Sequence, residues 1–128
     1  MVEFCIVLPL LLILLIGMIE FSLLLYDQAV ITSCSRECAR AGIVAQEGRN
    51  AGTVTNAIDA VKAKYSDKLI TFGAASTLTV TPDMSAGTSF GNSLKVTVTY
   101  NYGYLVLPNF ITMGNSITLG SATVMNFE

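Results

Sequence analysis

Two cysteines at helical spacing are the first residues whose type and position could carry chemistry. Cys34 and Cys38 are four residues apart, so a helix would place both thiols on one face with an axial offset of about 6 Å. This offset is awkward for an unstrained disulfide inside a regular helix. Three arrangements stay open: a bridge to another molecule, a bridge after local helix distortion, or two free thiols. A two-cysteine metal or redox site is the functional alternative, which the absence of histidine disfavours. We expect the pair at a junction between helix and head, facing a sheet or a neighbouring subunit.

The chain lacks the usual catalytic and metal-binding residues. It contains no histidine, which excludes imidazole general bases, Ser-His-Asp triads and His-ligated metals. The aspartates Asp59, Asp67 and Asp83 show no spacing typical of a catalytic carboxylate pair. We therefore predict that the protein is not an enzyme and has no catalytic, cofactor-binding or metal-binding residues. Nucleic acid is not an expected partner, because the net charge is −2 and the cations are scattered.

Two carboxylates, Glu3 and Glu20, flank a long apolar segment. Phe4–Ile19 contains no charged residue, and the segment reaches the roughly 20 residues of a spanning helix if it continues to Tyr26. A removable secretory signal fits poorly, because the chain begins with an acid and not with basic residues. A carboxylate at membrane depth is energetically costly. Both acids are therefore expected to have partners.

A neighbouring copy of the chain could supply the partner of Glu3. In a bundle of staggered helices, Glu3 could reach the α-amino group of a neighbouring Met1 and neutralise two charges. The alternative is that Glu3 lies among the lipid headgroups and pairs with nothing. For Glu20, the nearby Tyr26 and Asp27 suggest a membrane boundary as a second interpretation.

These residues belong to one long predicted helix. The sequence favours helix from Met1 to about Gln46, a length close to 70 Å and more than twice the thickness of a bilayer core. Pro9 removes a backbone hydrogen bond, which favours a kink or local unwinding. We place a transmembrane or filament-core segment at about residues 1–26, within a first domain of helix and linker at 1–52.

The remaining residues, 53–128, predict a small α+β head. Thr53 can cap a second, amphipathic helix. After it the apolar period changes to two, which predicts half-buried strands. We expect three antiparallel strands, covered on one face by the second helix and by the distal part of the long helix.

The last two segments of the head are less regular. Ser116–Phe127 changes its apolar phase at Gly120, and a glycine β-bulge there would reconcile the two halves. Tyr104–Gly114 is apolar without a clean period, so we predict a packed loop with a helical turn.

Four sequence segments resemble the TadE-like family of the tight-adherence pilus system. They are VEFCIVLPLLLILLIGMIEF (Val2–Phe21), ARAG (Ala39–Gly42), VTVTYNY (Val96–Tyr102) and ITLGSATVMNFE (Ile117–Glu128). This family comprises pilin-like and pseudopilin-like proteins of the type IV pilus superfamily, and its glutamate near the mature start corresponds to Glu3. One departure is that fewer residues precede Glu3 than in typical pilin-like chains.

The resemblance implies a structural subunit. A prepilin peptidase would process it, the bacterial inner membrane would hold it, and the pilus assembly machinery would build it with copies of itself into an extracellular filament. The residues expected to serve assembly are Met1, Glu3, Phe4, Pro9 and Glu20. The alternative is a minor pilin or pseudopilin, or a membrane-anchored accessory protein for pilus assembly, secretion or adhesion. We favour the filament, because both acids are liabilities in a lone anchor and assets in a helical assembly.

Overall fold

The computed structural model of the protein describes residues 1–44, 48–72, 77–105 and 116–128. It contains, in chain order, helix α1 (Val2–Val44), helix α2 (Ala51–Ser66) and strands β1 (Leu78–Asp83), β2 (Ser93–Gly103) and β3 (Ser116–Asn126). The strands form one antiparallel sheet in the order β1-β2-β3. The predicted α+β arrangement of a long helix, a short helix and a small antiparallel sheet is confirmed.

Helix α1 has two halves in different surroundings. It runs for 43 residues, about 65 Å, and Pro9 lies inside it. Its first half is apolar and exposed, and its most apolar window of 18 residues has no buried residue. Its second half completes the core of the head, where Ile31 and Ala39 are fully buried. The predicted end at Gln46 lies outside the described residues.

Helix α2 starts with a capping box. The Asn50 side chain accepts a hydrogen bond from the Thr53 N–H at 2.9 Å, and the Thr53 hydroxyl accepts one from the Asn50 N–H at 3.1 Å. The prediction that Thr53 caps the helix is therefore wrong. The N-cap residue is Asn50, whose carboxamide oxygen accepts the capping hydrogen bond, and Thr53 is the third residue of the helix.

The two helices run antiparallel on the same face of the sheet. Near the end of α1, a Cβ on Gly42 would meet Val54 and Ile58 of α2. Closer to the apolar half of α1, Asp27 accepts a hydrogen bond from Ile70, which follows α2. The chain therefore descends along α2 toward the apolar half of α1.

Strand β2 supplies the centre of the core. Its residues alternate between a buried face toward the helices and an open face, as the period of two predicted. The buried set is Leu94, Val96, Val98, Tyr100 and Tyr102.

Strand β3 pairs with β2 without interruption, from Ser116 opposite Gly103 to Asn126 opposite Ser93. The predicted bulge at Gly120 is therefore wrong. The apolar pattern changes because the helix-facing side of the regular strand passes from apolar to hydroxyl residues. Ser121 and Thr123 lie under α1, and their hydroxyls contact the buried Ser35 hydroxyl at 3.0 and 2.9 Å.

The head has two ends along α1. We call the end near the apolar half of α1 the base, and it includes Ile70–Phe72 and Tyr102–Leu105. The opposite, distal end includes the loop between β1 and β2, in which Asn92 exchanges backbone hydrogen bonds with its surroundings, including Phe127.

Candidate assembly and junction site

The predicted assembly residues at the start of α1 all lie on its exposed half. Met1, Glu3, Phe4 and Pro9 are exposed in the chain. Glu3 lies in the first turn of α1, where the positive end of the helix dipole favours an acid. These four residues and their apolar neighbours form a surface that the head does not cover.

Glu20 is separate from these four residues and belongs to the head. It is 3% exposed. Its Oε1 atom accepts a hydrogen bond from the Tyr102 hydroxyl at 2.6 Å and another from the Leu105 N–H at 3.0 Å. The partner that the sequence called for therefore exists within the same chain. This contact fixes α1 to the end of β2 and defines where the free part of the helix begins.

Tyr102 is suited to hold this carboxylate. Its side chain is fully buried, and its ring contacts that of Tyr104 edge to face at 6.4 Å between centroids. Burial, followed by the hydrogen bond and the charge of Glu20, raises the pKa of the Tyr102 phenol. The hydroxyl therefore stays protonated and remains a donor throughout the physiological pH range.

Asp27 is a second buried acid on the same side of α1. It is 0% exposed, and its Oδ1 atom accepts a hydrogen bond from the Ile70 N–H at 3.1 Å. Its Oδ2 atom is buried and has no hydrogen-bond partner among the residues that the structure describes. Burial raises the pKa of the Asp27 carboxyl, although the bond from Ile70 acts in the opposite direction. Asp27 thus ties the end of α2 to α1 at an electrostatic cost.

The sequence contains a signal for this buried stripe. Glu20, Asp27, Ile31, Cys34 and Cys38 recur at spacings of seven, four, three and four residues, which is the period of one helical face. Glu20 was expected to have a partner in an assembly, and Asp27 was considered only as a sign of a membrane boundary. Their phase with the buried residues places them against the head.

The cysteines lie in the interface between α1 and α2. Cys34 and Cys38 are free and fully buried, with their Sγ atoms 3.7 Å apart. The Cys38 Sγ lies 3.8 Å from the Ile58 carbonyl oxygen of α2. The hydrogen bond with Cys34 and burial raise the pKa of the Cys38 thiol. Among the described residues, no group of three or more potential metal ligands occurs.

Polar residues surround the cysteines on the outer side of the helices. Glu37 accepts hydrogen bonds from the Tyr65 hydroxyl at 2.5 Å and from Lys64 at 3.1 Å, and these bonds lower its pKa. The bond to Glu37 raises the pKa of Tyr65 to about 12. Arg36 and Arg40 are exposed and line a groove of about 740 Å³. The polar edge beside the thiols therefore faces solvent.

Comparison with known proteins is informative for the N-terminal part of the chain. Searches of curated proteins and of solved structures give no significant match. Residues 1–40 match the family model described as TadE-like protein. The matched segment contains the exposed apolar half of α1 and its buried stripe from Glu20 to Cys38. The resemblance of this chain to the TadE-like family is thereby confirmed over residues 1–40.

Proposed function

We propose that the protein is a pilin-like structural subunit that polymerises through the apolar half of α1 into a Tad-type, type IV-like extracellular filament. The observation that carries this proposal is the exposed apolar surface of residues 2–19, joined directly to a folded head. Soluble monomers do not expose contiguous apolar patches of this size. Lipid would cover this surface before assembly, and the helices of other copies would cover it in the filament.

Glu3 gives the assembly a defined register. The cost of burying its carboxylate falls when a neighbouring α-amino group at Met1 lies within reach, because the pair is neutral overall. Phe4 and the apolar residues that follow would pack around this pair. Pro9 would provide a point of local unwinding when the helix leaves the membrane, because its position lacks one backbone hydrogen bond.

The pilus context of the proposal comes from the TadE-like match, since this family is pilus-related and structural. The cellular path follows the same resemblance. The subunit would reside in the bacterial inner membrane, be processed by a prepilin peptidase and be delivered by the pilus assembly machinery to the cell surface.

The alternative is a minor pilin, a pseudopilin or a membrane-anchored accessory protein. The contacts of Glu20 are compatible with this alternative. Two acids argued for an assembly in the sequence, but Glu20 has partners inside its own chain. A lone membrane anchor therefore has only one acid, Glu3, to accommodate. The same match to residues 1–40 fits this alternative.

The test is Glu3→Gln in a cell that carries the pilus machinery, with filaments examined by electron microscopy and membrane levels measured by immunoblot. We expect fewer filaments and unchanged membrane levels, because removing a charge does not hinder insertion. Asp59→Asn is the control, since it removes an exposed carboxylate of α2 and leaves α1 unchanged.

Normal filament yield in Glu3→Gln would contradict the pairing of Glu3 with a neighbouring Met1. If the unmodified protein forms no filament of its own, but its deletion stops the assembly of another subunit, the accessory role is correct.

A further inference from the structure

We propose that the base of the head lies in the headgroup region of the bilayer while the protein is in the membrane, so that lipid contacts the head as well as α1. This proposal rests on the membrane stage of the proposed function. Three independent features of the described residues carry it: the length of free helix, the charge of the base and its exposed aromatic residues.

The free part of α1 is too short to hold the head away from the membrane. Glu20 is bonded to Tyr102 and Leu105, so the helix is part of the head from this residue onward. Residues 2–19 precede it and span about 27 Å at about 1.5 Å per residue. The hydrocarbon core of a bilayer is about 30 Å thick. A helix that crosses this core therefore brings the base of the head to the bilayer surface.

The base presents no charge of its own to that surface. The chain has no charged residue in 69–82 or in 96–127, which include all described residues of the base outside α1. The two acids of α1 at this level, Glu20 and Asp27, are buried. Asp67 and Lys68, which directly precede this uncharged stretch at the end of α2, are exposed. The Lys68 ammonium lies 4.6 Å from the centroid of the Tyr65 ring, and it would have to leave this ring to extend toward lipid phosphates.

Two aromatic residues at or near the base are exposed. Phe72 is 73% exposed and adopts a φ of 45°, a left-handed conformation that is rare for a bulky residue. Tyr26, on α1, is 47% exposed. Tyrosine is enriched at membrane–water interfaces, where its ring meets acyl chains and its hydroxyl meets headgroups. A phenylalanine such as Phe72 gains there only by removing its apolar ring from water. Phe21 and Leu25 of α1 are also exposed, so both α1 and the head expose apolar side chains in this part of the molecule.

The distal end provides a matched comparison within the same chain. Phe90 is 83% exposed but lies in the loop between β1 and β2, at the end of the head away from the apolar half of α1. Exposure alone does not therefore distinguish Phe72 from Phe90. The two residues lie at opposite ends of the head along the axis of α1. The proposal predicts that, of these two residues, Phe72 contacts lipid and Phe90 does not.

The chain contains no tryptophan, so one substitution introduces one fluorescent probe. Phe72→Trp, Tyr26→Trp, Phe90→Trp and Leu11→Trp would each be made in the full chain. Each variant would be reconstituted into vesicles of phosphatidylcholine and phosphatidylglycerol that carry bromine either near the headgroup or deep in the acyl chain. Far-ultraviolet circular dichroism would establish that each variant is folded.

We expect Phe72→Trp and Tyr26→Trp to be quenched more strongly by shallow than by deep bromine, with emission shifted to the blue. Leu11→Trp should be quenched most by deep bromine, and Phe90→Trp by neither. If Leu11→Trp is quenched while Phe72→Trp and Tyr26→Trp behave like Phe90→Trp, the proposal is wrong and membrane anchoring stands. If Leu11→Trp is not quenched, the membrane stage fails and the proposal fails with it. Blue-shifted Phe72→Trp emission without bromine quenching would indicate that a second copy covers the base, and this also contradicts the proposal.

Discussion

At the scale of single residues, the contact between Glu20 and Tyr102 determines how the long helix meets the head. The two residues are 82 positions apart in the chain, and their side-chain oxygens are 2.6 Å apart. The sequence indicated that Glu20 needs a partner, because a lone carboxylate in an apolar segment is costly. It could not identify Tyr102, since helical and strand periods give no information about which distant residues meet.

We predict that Tyr102→Phe lowers the free energy of unfolding of the head by about 1.5–3 kcal/mol, the range for a hydrogen bond to a charged group. The substitution keeps the ring and leaves the Glu20 carboxylate with one donor fewer. Thermal or urea unfolding of the full chain in detergent would measure the loss. Tyr104→Phe is the control, because its hydroxyl makes no hydrogen bond in the described residues, and we expect it to be nearly neutral. Equal stability of the two variants would contradict the importance of the Glu20 contact.

We also predict that Asp27→Asn stabilises the head at neutral and alkaline pH. Burial raises the pKa of Asp27 above its usual value of 3.8 in the folded state. The folded protein therefore holds this proton more tightly than the unfolded chain, and stability falls as pH rises through the interval above 3.8. Asparagine keeps an acceptor for the Ile70 N–H but removes the charge. Tyr100 and Tyr102, the titratable groups that sense Asp27, are neutral in this range.

The measurement is the melting temperature of both proteins between pH 4.5 and pH 8, and the difference between them isolates Asp27 from other titrating groups. We expect the difference to grow in favour of Asp27→Asn as the pH rises. A variant that is less stable than the unmodified protein at pH 8 would contradict the interpretation that the ionised carboxylate is destabilising.

At the scale of elements, the head depends on close packing between α1, α2 and β2. This approach needs small residues on α1, and Gly42 is the tightest position. A Cβ at Gly42 would lie 2.5 Å from Leu94 Cδ2 and 3.3 Å from Val54 Cγ1. Both neighbouring side chains are fully buried, so neither can move freely. The glycine of the ARAG segment is therefore explained by packing.

Overpacking in Gly42→Ala should lower the free energy of unfolding of the head by about 1–3 kcal/mol. The higher helix propensity of alanine should restore about 1 kcal/mol of this loss. Gly17→Ala is the matched control in the same helix, because a Cβ there meets nothing within 4 Å. Urea unfolding of both variants would test this. If Gly42→Ala is as stable as Gly17→Ala, α1 can shift away from α2 without cost.

The position of the thiols between α1 and α2 leads to a prediction about reactivity. In a Cys5→Ser variant, Cys34 and Cys38 should react with maleimide only when the head unfolds, because both are fully buried. Non-reducing electrophoresis of this variant should give a monomer band, since a bridge between subunits would require exposed sulfur. Rapid labelling under native conditions, or a ladder of reducible multimers, would show that the interface between α1 and α2 opens.

The elements also show which patterns the sequence predicts reliably. The period of two in β2 predicted a strand correctly, because burial on one side imposes this period directly. The apolar run of α1 predicted a helix correctly through its length and composition. The bulge predicted at Gly120 was wrong because the apolar phase of β3 changes there while the strand itself continues in register. Ser121 and Thr123 keep the strand in register by bonding to Ser35, and hydroxyl pairing of this kind leaves no apolar period.

At the scale of the whole molecule, the head begins earlier in the chain than the transmembrane segment predicted at residues 1–26 would suggest. Glu20 is buried in the head, and Leu23 and Leu24 pack against its core. We therefore expect that deleting residues 1–17 gives a soluble monomer with its head intact. Deleting residues 1–26 should give a head with a lower melting temperature, because Tyr102 and Leu105 then lose the Glu20 carboxylate.

Size-exclusion chromatography with light scattering and thermal melting would compare the two truncations. Filaments formed by the protein that lacks residues 1–17 would contradict assembly through the apolar half of α1. Equal melting temperatures for the two truncations would show that Glu20 does not contribute to the fold.

The alignment of the strands with α1 also has a mechanical consequence. The head follows the helix from Glu20, bonded to Tyr102, to Gly42, packed on Leu94, so β2 runs beside α1 along this whole length. A force that pulls the apolar half of α1 away from the head would act along this shared boundary and not across it. The contacts between helix and sheet would then bear the load together and could not be opened one at a time. The head would resist shear along the helix better than it resists peeling from either end.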